Sequence, residues 1–404
     1  MRHPRSSIAE LIVLLLLAAP GLATARAASA KIPSEKITIG VLDSGGGDSS
    51  ERRARSVLVA AEVAAEEFET HSGRTDTEML YSPDGADPAR APALAASWLD
   101  HDDAAAIVDS FGGAGDDAIA RDAAARHRAM LVSSLLGDAP PALCGSDVLR
   151  WGPDLGAYTA ALVAALAPQR GRRWFVIAAA DAVGAAVQRD IATGARSKNL
   201  SLVGTATTAP GQRDYTPALL QAAKAGAQVI VLALGGRDLA DAVRDAAALG
   251  LTTRATVAAP LARLDDIAAI GLADAENIVV PASFFWDENE ATRAFARHFA
   301  GRTGDRLPDA NQAAVYQLVA AYLRAAKAAR SIDAAAVLGR LKSAPIPGAW
   351  SGSVAARPDG TVPQPIGIYR VKRPEQSRGP GDDYARIAMI PVATAYARPE
   401  CGGP

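Results

Sequence analysis

Short apolar runs alternate with alanine-rich amphipathic stretches over most of the chain, and this alternation limits the fold more than any single motif does. "KITIGVL", from Lys36 to Leu42, reads as a first strand, and "RSVLVAAEVAAEEFE" as the helix after it. "TEMLYS", "AAAIVDS" and "AMLVSSL" follow as strands, separated by the helices "DPARAPALAASWLD" and "DDAIARDAAARHR". Helices of this length between strands are the crossovers of a parallel sheet covered on both faces. After Trp151 the pattern starts again, with strands "RWFVIAAA", "LSLVGTATT", "AQVIVLAL" and "ATVAAP" among further helices. Two successive open α/β units predict two lobes of one architecture. From Glu290 to Lys342 the chain reads as helical, then as short strands with turn residues, and "KRPEQSRGPGDD" as a polar loop or mobile segment.

The N-terminus has another character. "MRHPRSS" precedes the apolar run "LIVLLLLAAPGLA" and the small-residue stretch "ATARAASA". That order predicts a cleavable secretory signal over residues 1–30, cut after Ala25, Ala27 or Ala30, and hence an exported mature chain with no membrane insertion. No cysteine near the cut offers a site for a lipid anchor. The remaining length of about 375 residues exceeds what one core usually organises. Apolar residues make up 49% of the sequence, enough for a core, while the formal net charge is only −2 with both signs interspersed, which gives no support to nucleic-acid or anionic-membrane binding. The two cysteines, Cys144 and Cys401, lie in a chain that leaves the reducing cytosol, so a disulfide tying the C-terminal tail to the region before Arg150 is the leading reading, with free thiols as the alternative. Neither has a Cys or His neighbour at metal-ligand spacing, and no metal is expected.

The segment "AAIVDSFGGAGDDA" admits two readings. Gly113, Gly115 and Ala118 fit the dinucleotide pattern G-x-G-x-x-A. Against it, Asp116 and Asp117 fall in the first turn of the next helix, where carboxylates already complement the dipole and repel a pyrophosphate.

"KITIGVL" before a glycine- and serine-rich loop, "YSPDGADPA", "LRWGPD" and "GQRDYTPALLQAAKAGAQVIVLAL" occur in an order and spacing that resembles the type I periplasmic solute-binding proteins of ABC importers, in the branched-chain amino-acid- and amide-binding branch. The resemblance implies two doubly wound parallel-sheet lobes joined by a three-crossover hinge, a small-molecule ligand trapped by closure, an inner-membrane ABC permease as partner, a monomer, no cofactor and no catalysis. The expected N-terminal lobe is 36–150 with 282–347, the C-terminal lobe 151–281 with 348–373, and 374–404 a tail pinned by Cys401. "VDSFGG" then becomes the first-lobe ligand loop.

Carried over by position, the resemblance places Asp43, Ser44, Gly45, Ser110, Phe111, Gly112, Gly113, Ser133, Ser134 and Leu135 at first-lobe strand ends. Glycine N–H groups and serine hydroxyls there suit a ligand carboxylate or carbonyl. For Asp43 and Ser44, an ordinary turn role is equally open. In the second lobe Asp181 opens "DAVGAA", where Val183 replaces the family's aromatic residue. Leu261 stands where amino-acid binders place the carboxylate that receives the ligand ammonium, a group that is costly to bury without an anion. A cleft with Phe111, Leu135, Trp151, Val183 and Leu261, to which Phe284, Phe285 and Trp286 are further candidates, therefore suggests an apolar or aromatic ligand with one acidic or carbonyl group, not a plain amino acid. Arg237 is either a charge for that group or a solvated residue. In "SFFWDE", hinge packing is favoured for Phe284 and cleft lining for Trp286.

An enzyme would need a constellation the sequence lacks. There is no H-E-x-x-H, no G-x-S-x-G and no cysteine cluster, and the paired aspartates sit at helix starts or in loops, where capping explains them. A ligand-sensing receptor or a periplasmic accessory module of the same fold remains the alternative to import.

Overall fold

The structure is a computed structural model that describes residues 36–43, 50–72, 75–82, 87, 89–110, 115–133, 139–168, 171–350, 352–396 and 401, with side chains from residue 55 onward in the first helix. The expected signal peptide lies outside the described residues. Among the described residues no helix is long and apolar enough to cross a membrane.

Strands β1 (Lys36–Leu42), β2 (Asp76–Tyr81), β3 (Ala106–Asp109), β4 (Ala129–Val132) and β5 (Val148–Trp151) form the first sheet in parallel. β6 (Arg173–Ala179), β7 (Ser201–Thr208), β8 (Val229–Ala233), β9 (Thr256–Ala258) and β10 (Val279–Ala282) form the parallel part of the second. β11 (Ile346–Pro347) and β12 (Ser353–Val354) make a small antiparallel ribbon. β13 (Thr361–Val362) returns to the first sheet beside β5, while β14 (Ile366–Val371) and β15 (Tyr384–Ile390) extend the second sheet antiparallel. The sheet orders are β13-β5-β4-β3-β1-β2 and β15-β14-β10-β9-β8-β6-β7. β1, β3, β4 and the inner strands of the second sheet are buried almost throughout, as expected of strands covered on both faces.

Each lobe has a core on both sides of its sheet. In the first lobe, helices Ser50–Ser72 and Ala310–Ala329 cover one face, and Ala91–His101 with Asp116–Ala125 the other. In the second, Leu155–Leu166 and Ala182–Ser197 pack on one face and Gly236–Ala248 on the other.

The chain passes between sheets at 152–154, 283–289 and 363–365. The third passage falls later than the sequence reading put it. Residues 348–373 were expected in the C-terminal lobe, but Thr361 and Val362 pair with Arg150 and Trp151, and Val362 is buried in the first core. The expected tail also contains more structure than foreseen. Tyr384 and Ile390 are buried at the two ends of β15, which makes that segment an edge strand of the second sheet. The polar "KRPEQSRGPGDD" segment is held in place: Lys372 Nζ lies 2.5 Å from Asp382 Oδ1, and Arg378 pairs with both Asp382 and Asp287.

Cys144 and Cys401 form a disulfide across 257 residues of sequence. Cys144 ends a short 3-10 turn, Pro141–Cys144, in the first lobe, whereas Ala395 and Tyr396 are buried in the second-lobe core. The bridge therefore ties the chain end leaving the second lobe back to the first.

Candidate functional site

In open α/β sheets the crevice lies at the carboxyl ends of strands where the order reverses. In the first sheet that point is between β1 and β3, each of which is followed by a polar residue. Asp43 follows β1 and is 2% exposed; Ser110 follows β3 and donates its hydroxyl to the Asp43 carboxylate. Ser133 follows β4, with its Oγ 2.5 Å from the Ser110 carbonyl oxygen and also bonded to the Asn311 carboxamide. One hydroxyl carries one proton, so Ser133 gives it to the Ser110 carbonyl and accepts from the Asn311 carboxamide N–H. Asn311 lies in the first turn of Ala310–Ala329, a helix that starts with a reciprocal capping box: Asp309 Oδ1 accepts from the Asn311 and Gln312 backbones at 2.8 and 3.4 Å, and Gln312 Oε1 accepts from the Asp309 backbone at 2.8 Å.

The second lobe contributes the loop after β9. Asp266 accepts from the Arg263 backbone at 3.0 Å, which starts the helix Leu264–Ile270 and leaves the Arg263 side chain to face the first lobe. Arg263 Nε lies 3.7 Å from Asp309 Oδ2. Three residues before Asp309, Arg306 Nη2 meets Asp265 Oδ2 at 2.6 Å, so two ion pairs of opposite direction cross between the lobes. Tyr158 and Ser283 hydroxyls, 3.2 Å apart, complete this seam beside the second chain passage.

Electrostatics follow from this placement. Burial pushes the Arg263 guanidinium down, but Asp309, then Asp266, Asp265 and Asp43, outweigh it and raise it, so it stays charged. Burial pushes the Asp266 carboxyl up against the opposing pull of Arg263. The Tyr158 phenol, raised chiefly by burial and further by Asp309, is pushed up to about 12 and serves only as a neutral hydrogen-bonding group. The seam holds donors and acceptors from both lobes, the kind of groups that fix a polar solute in place.

The sequence profile of the periplasmic binding protein family matches residues 36–379. The chain belongs to the periplasmic binding protein family. Among solved structures, a periplasmic binding protein from Burkholderia mallei shares 25% identity, with a TM-score of 0.78 over 90% of this chain and 96% of that one. A branched-chain amino acid ABC transporter ligand-binding protein from Burkholderia xenovorans superposes with a TM-score of 0.80 at 23% identity, over 90% and 97% of the two chains. An ABC transporter solute-binding protein from R. palustris, crystallised with 4-hydroxybenzoate, gives 0.76 at 14% identity, over 90% and 99%. No curated protein matches. Family and fold alike are those of binding proteins, not enzymes.

Within this periplasmic binding protein the residues expected from sequence fall into several groups. Ser110 and Ser133 come together with Asp43 as described. Ser44, Gly45, Phe111, Gly112, Gly113, Ser134 and Leu135 lie outside the described residues. Asp181 caps Ala182–Ser197 by accepting from Gly184 N at 2.7 Å. Val183 and Leu261 are half-buried against the second-lobe core, and Arg237 is exposed in the first turn of Gly236–Ala248. Trp151 is 1% exposed within the first core, so its indole is closed to a ligand in this structure. Trp286, expected to line the cleft, instead donates its indole N–H to the Gly381 carbonyl at 2.7 Å and packs against both cores. Phe284 turns into the first lobe against Phe295 and Trp350, and Phe285 into the second against Tyr369 and Tyr384. "SFFWDE" is thus hinge packing.

Sequence reading missed Arg263, Asp309, Asn311, Tyr158 and Ser283. Arg263 is two residues from Leu261 in the same loop, and "DANQ" has the spacing of a capping box, yet neither signal says that the two segments face each other. The carboxylate missing at Leu261 is also not the whole account, because Asp309 brings one to the seam from the opposite lobe.

Proposed function

We propose that this protein captures a small organic acid, apolar or aromatic in its remainder, in the cleft between its lobes and presents it to an inner-membrane ABC permease, as an exported monomer. The observation that carries this reading is Arg263, a second-lobe guanidinium set opposite the first-lobe loop ends of Asp43, Ser110 and Ser133. Half-buried Val183 and Leu261 supply apolar surface on the second-lobe side. Relatives crystallised with 4-hydroxybenzoate and 3,4-dihydroxybenzoic acid support the ligand class by analogy of fold.

The test is a thermal-shift screen of the mature protein against aromatic acids, aliphatic acids, amides and branched-chain amino acids. A ligand at a hundredfold excess over its dissociation constant stabilises by about 2.7 kcal/mol, well within what the screen reads. A shift with an aromatic or aliphatic acid and none with leucine is the expected result. A shift with leucine or valine alone overturns the proposed ligand class.

A further inference from the structure

The formal net charge of −2 hides a one-sided distribution in the fold. β9, β8, β6 and β7 stand side by side in parallel, so the residues that lead into or open them share one end of the second lobe, opposite the strand ends at the seam. These segments are "GRR" (171–173), "RSKN" (196–199), "KAGAQ" (224–228) and "LTTRA" (251–255), with no Asp or Glu in any of them. They set Arg172, Arg173, Arg196, Lys198, Lys224 and Arg254 in exposed positions. Neighbouring strands are about 5 Å apart, so the four strand starts span about 15 Å, less than two screening lengths at physiological salt. The cations therefore act as one field.

Elsewhere exposed arginines meet carboxylates: Arg126 meets Asp100, Arg297 meets Glu290 and Arg306 meets Asp265. At this end none of the six is ion-paired among the described residues. Arg172 donates to the Asn199 carbonyl, and Arg173 Nε to the Gly226 carbonyl at 3.0 Å, bonds that hold the guanidinium groups in place without cancelling their charge. Arg196, Lys224 and Arg254 fall in last helical turns, where a cation complements the helix dipole. That accounts for a charge at each helix end, but not for the lack of carboxylates between them. The next strand along the sheet, β10, is the one preceded by an acid, Glu276. A second observation concerns Leu220. It is 51% exposed, more than any other large apolar side chain among the described residues, and lies one turn before Lys224 on the same face of the helix Thr216–Lys224.

We propose that this end of the second lobe rests on a lipid surface of anionic headgroups, its six cations drawn to the phosphates and Leu220 entering the interface. Cations around an exposed leucine are the composition that settles on such a surface. A soluble polyanion would engage the charges and leave the leucine in water. The contact is made by separate exposed charges, so it is reversible and screened by salt. It lies at the amino ends of the strands and leaves the seam at their carboxyl ends open to solute. The proposal goes beyond solute capture and stands or falls independently of the ligand class.

The experiment sediments the mature protein with vesicles of phosphatidylcholine alone and of phosphatidylcholine with phosphatidylglycerol, and repeats this with a triple variant (Lys198→Gln, Lys224→Gln and Arg254→Gln) and with Leu220→Ser. The three cationic side chains make no hydrogen bond or ion pair with the described residues, and Leu220 is exposed, so the variants should keep the wild-type melting temperature, which is measured in parallel. The expected result is that the wild type binds the anionic vesicles and not the neutral ones, and that raising the salt to about 0.5 M removes most of the binding. The triple variant should bind about thirtyfold more weakly or worse, and Leu220→Ser about fivefold more weakly. A wild type that stays in the supernatant with anionic vesicles overturns the proposal. So does a triple variant that binds like the wild type, since another surface then makes the contact. Binding of inorganic polyphosphate without binding of vesicles, or vesicle binding that Leu220→Ser leaves unchanged, overturns the lipid surface in favour of plain attraction to anions.

Discussion

Arg263, at the end of a second-lobe loop, lies 3.7 Å from Asp309, the N-cap of a first-lobe helix. Beside it, Arg306 of the first lobe pairs with Asp265 of the second at 2.6 Å. Both pairs connect segments that touch only when the lobes do, so they belong to the balance between open and closed protein. Leu307, between the two first-lobe partners, packs against the second-lobe core.

The Arg306–Asp265 pair is half-exposed, which limits its contribution to about 1 kcal/mol or less. Arg306→Asp and Asp265→Arg should each weaken binding of the acid found by the screen by up to about fivefold, through a smaller closed fraction. The double exchange should recover most of that loss, and the recovery should shrink at high salt. A double-mutant cycle on the dissociation constant measures it; no recovery would mean that the pair does not act between the lobes.

Gly184 is a packing requirement. A Cβ there would lie 2.2 Å from the Ala179 carbonyl oxygen, a backbone atom that cannot swing aside. Gly184→Ala should cost about 2 kcal/mol, seen as a lower denaturant midpoint. An unchanged midpoint would show that the helix start moves freely on β6.

The disulfide closes a long loop and joins the lobes. Replacing both Cys144 and Cys401 by Ser should lower stability by about 2–4 kcal/mol and leave ligand affinity nearly unchanged, since neither residue approaches the seam. Denaturation and calorimetry on the same preparation separate the two effects.

Asp382 makes stability depend on acid. Burial pushes its carboxyl up, but bonds from Arg378 and Lys372 prevail and hold it well below the ordinary carboxylate range. A lowered folded-state value gives stability that is complete above the ordinary aspartate range, near 4, and is lost as pH falls through that range toward the folded value. Asp382→Asn should cost about 2 kcal/mol at neutral pH and flatten the fall in stability below pH 4. A variant with the wild-type acid profile would place the titrating group elsewhere.

Much of the fold was legible because local signals and tertiary structure agree. "AQVIVLAL" is a buried parallel strand by its apolar run, and β8 occupies Val229–Ala233 within it. Ser110 and Ser133 were readable as strand ends, and strand ends in this topology converge. Trp286 was misread because an aromatic residue after a crossover can face the cleft or the hinge, and only the Gly381 carbonyl decides it. β15 was hidden because an edge strand with exposed Ile387 and Met389 has no clean alternation of buried and solvated residues. Arg263 and Asn311 lie in segments whose meeting depends on how the two lobes are set against each other, which no local pattern encodes.

Small-angle X-ray scattering of the mature protein, with and without the acid giving the largest thermal shift, tests the central claim most directly. The account predicts a smaller radius of gyration with ligand in the wild type, and no contraction in Arg263→Gln at the same ligand concentration. Saturating binding with an unchanged scattering profile in the wild type would contradict capture by closure of the lobes.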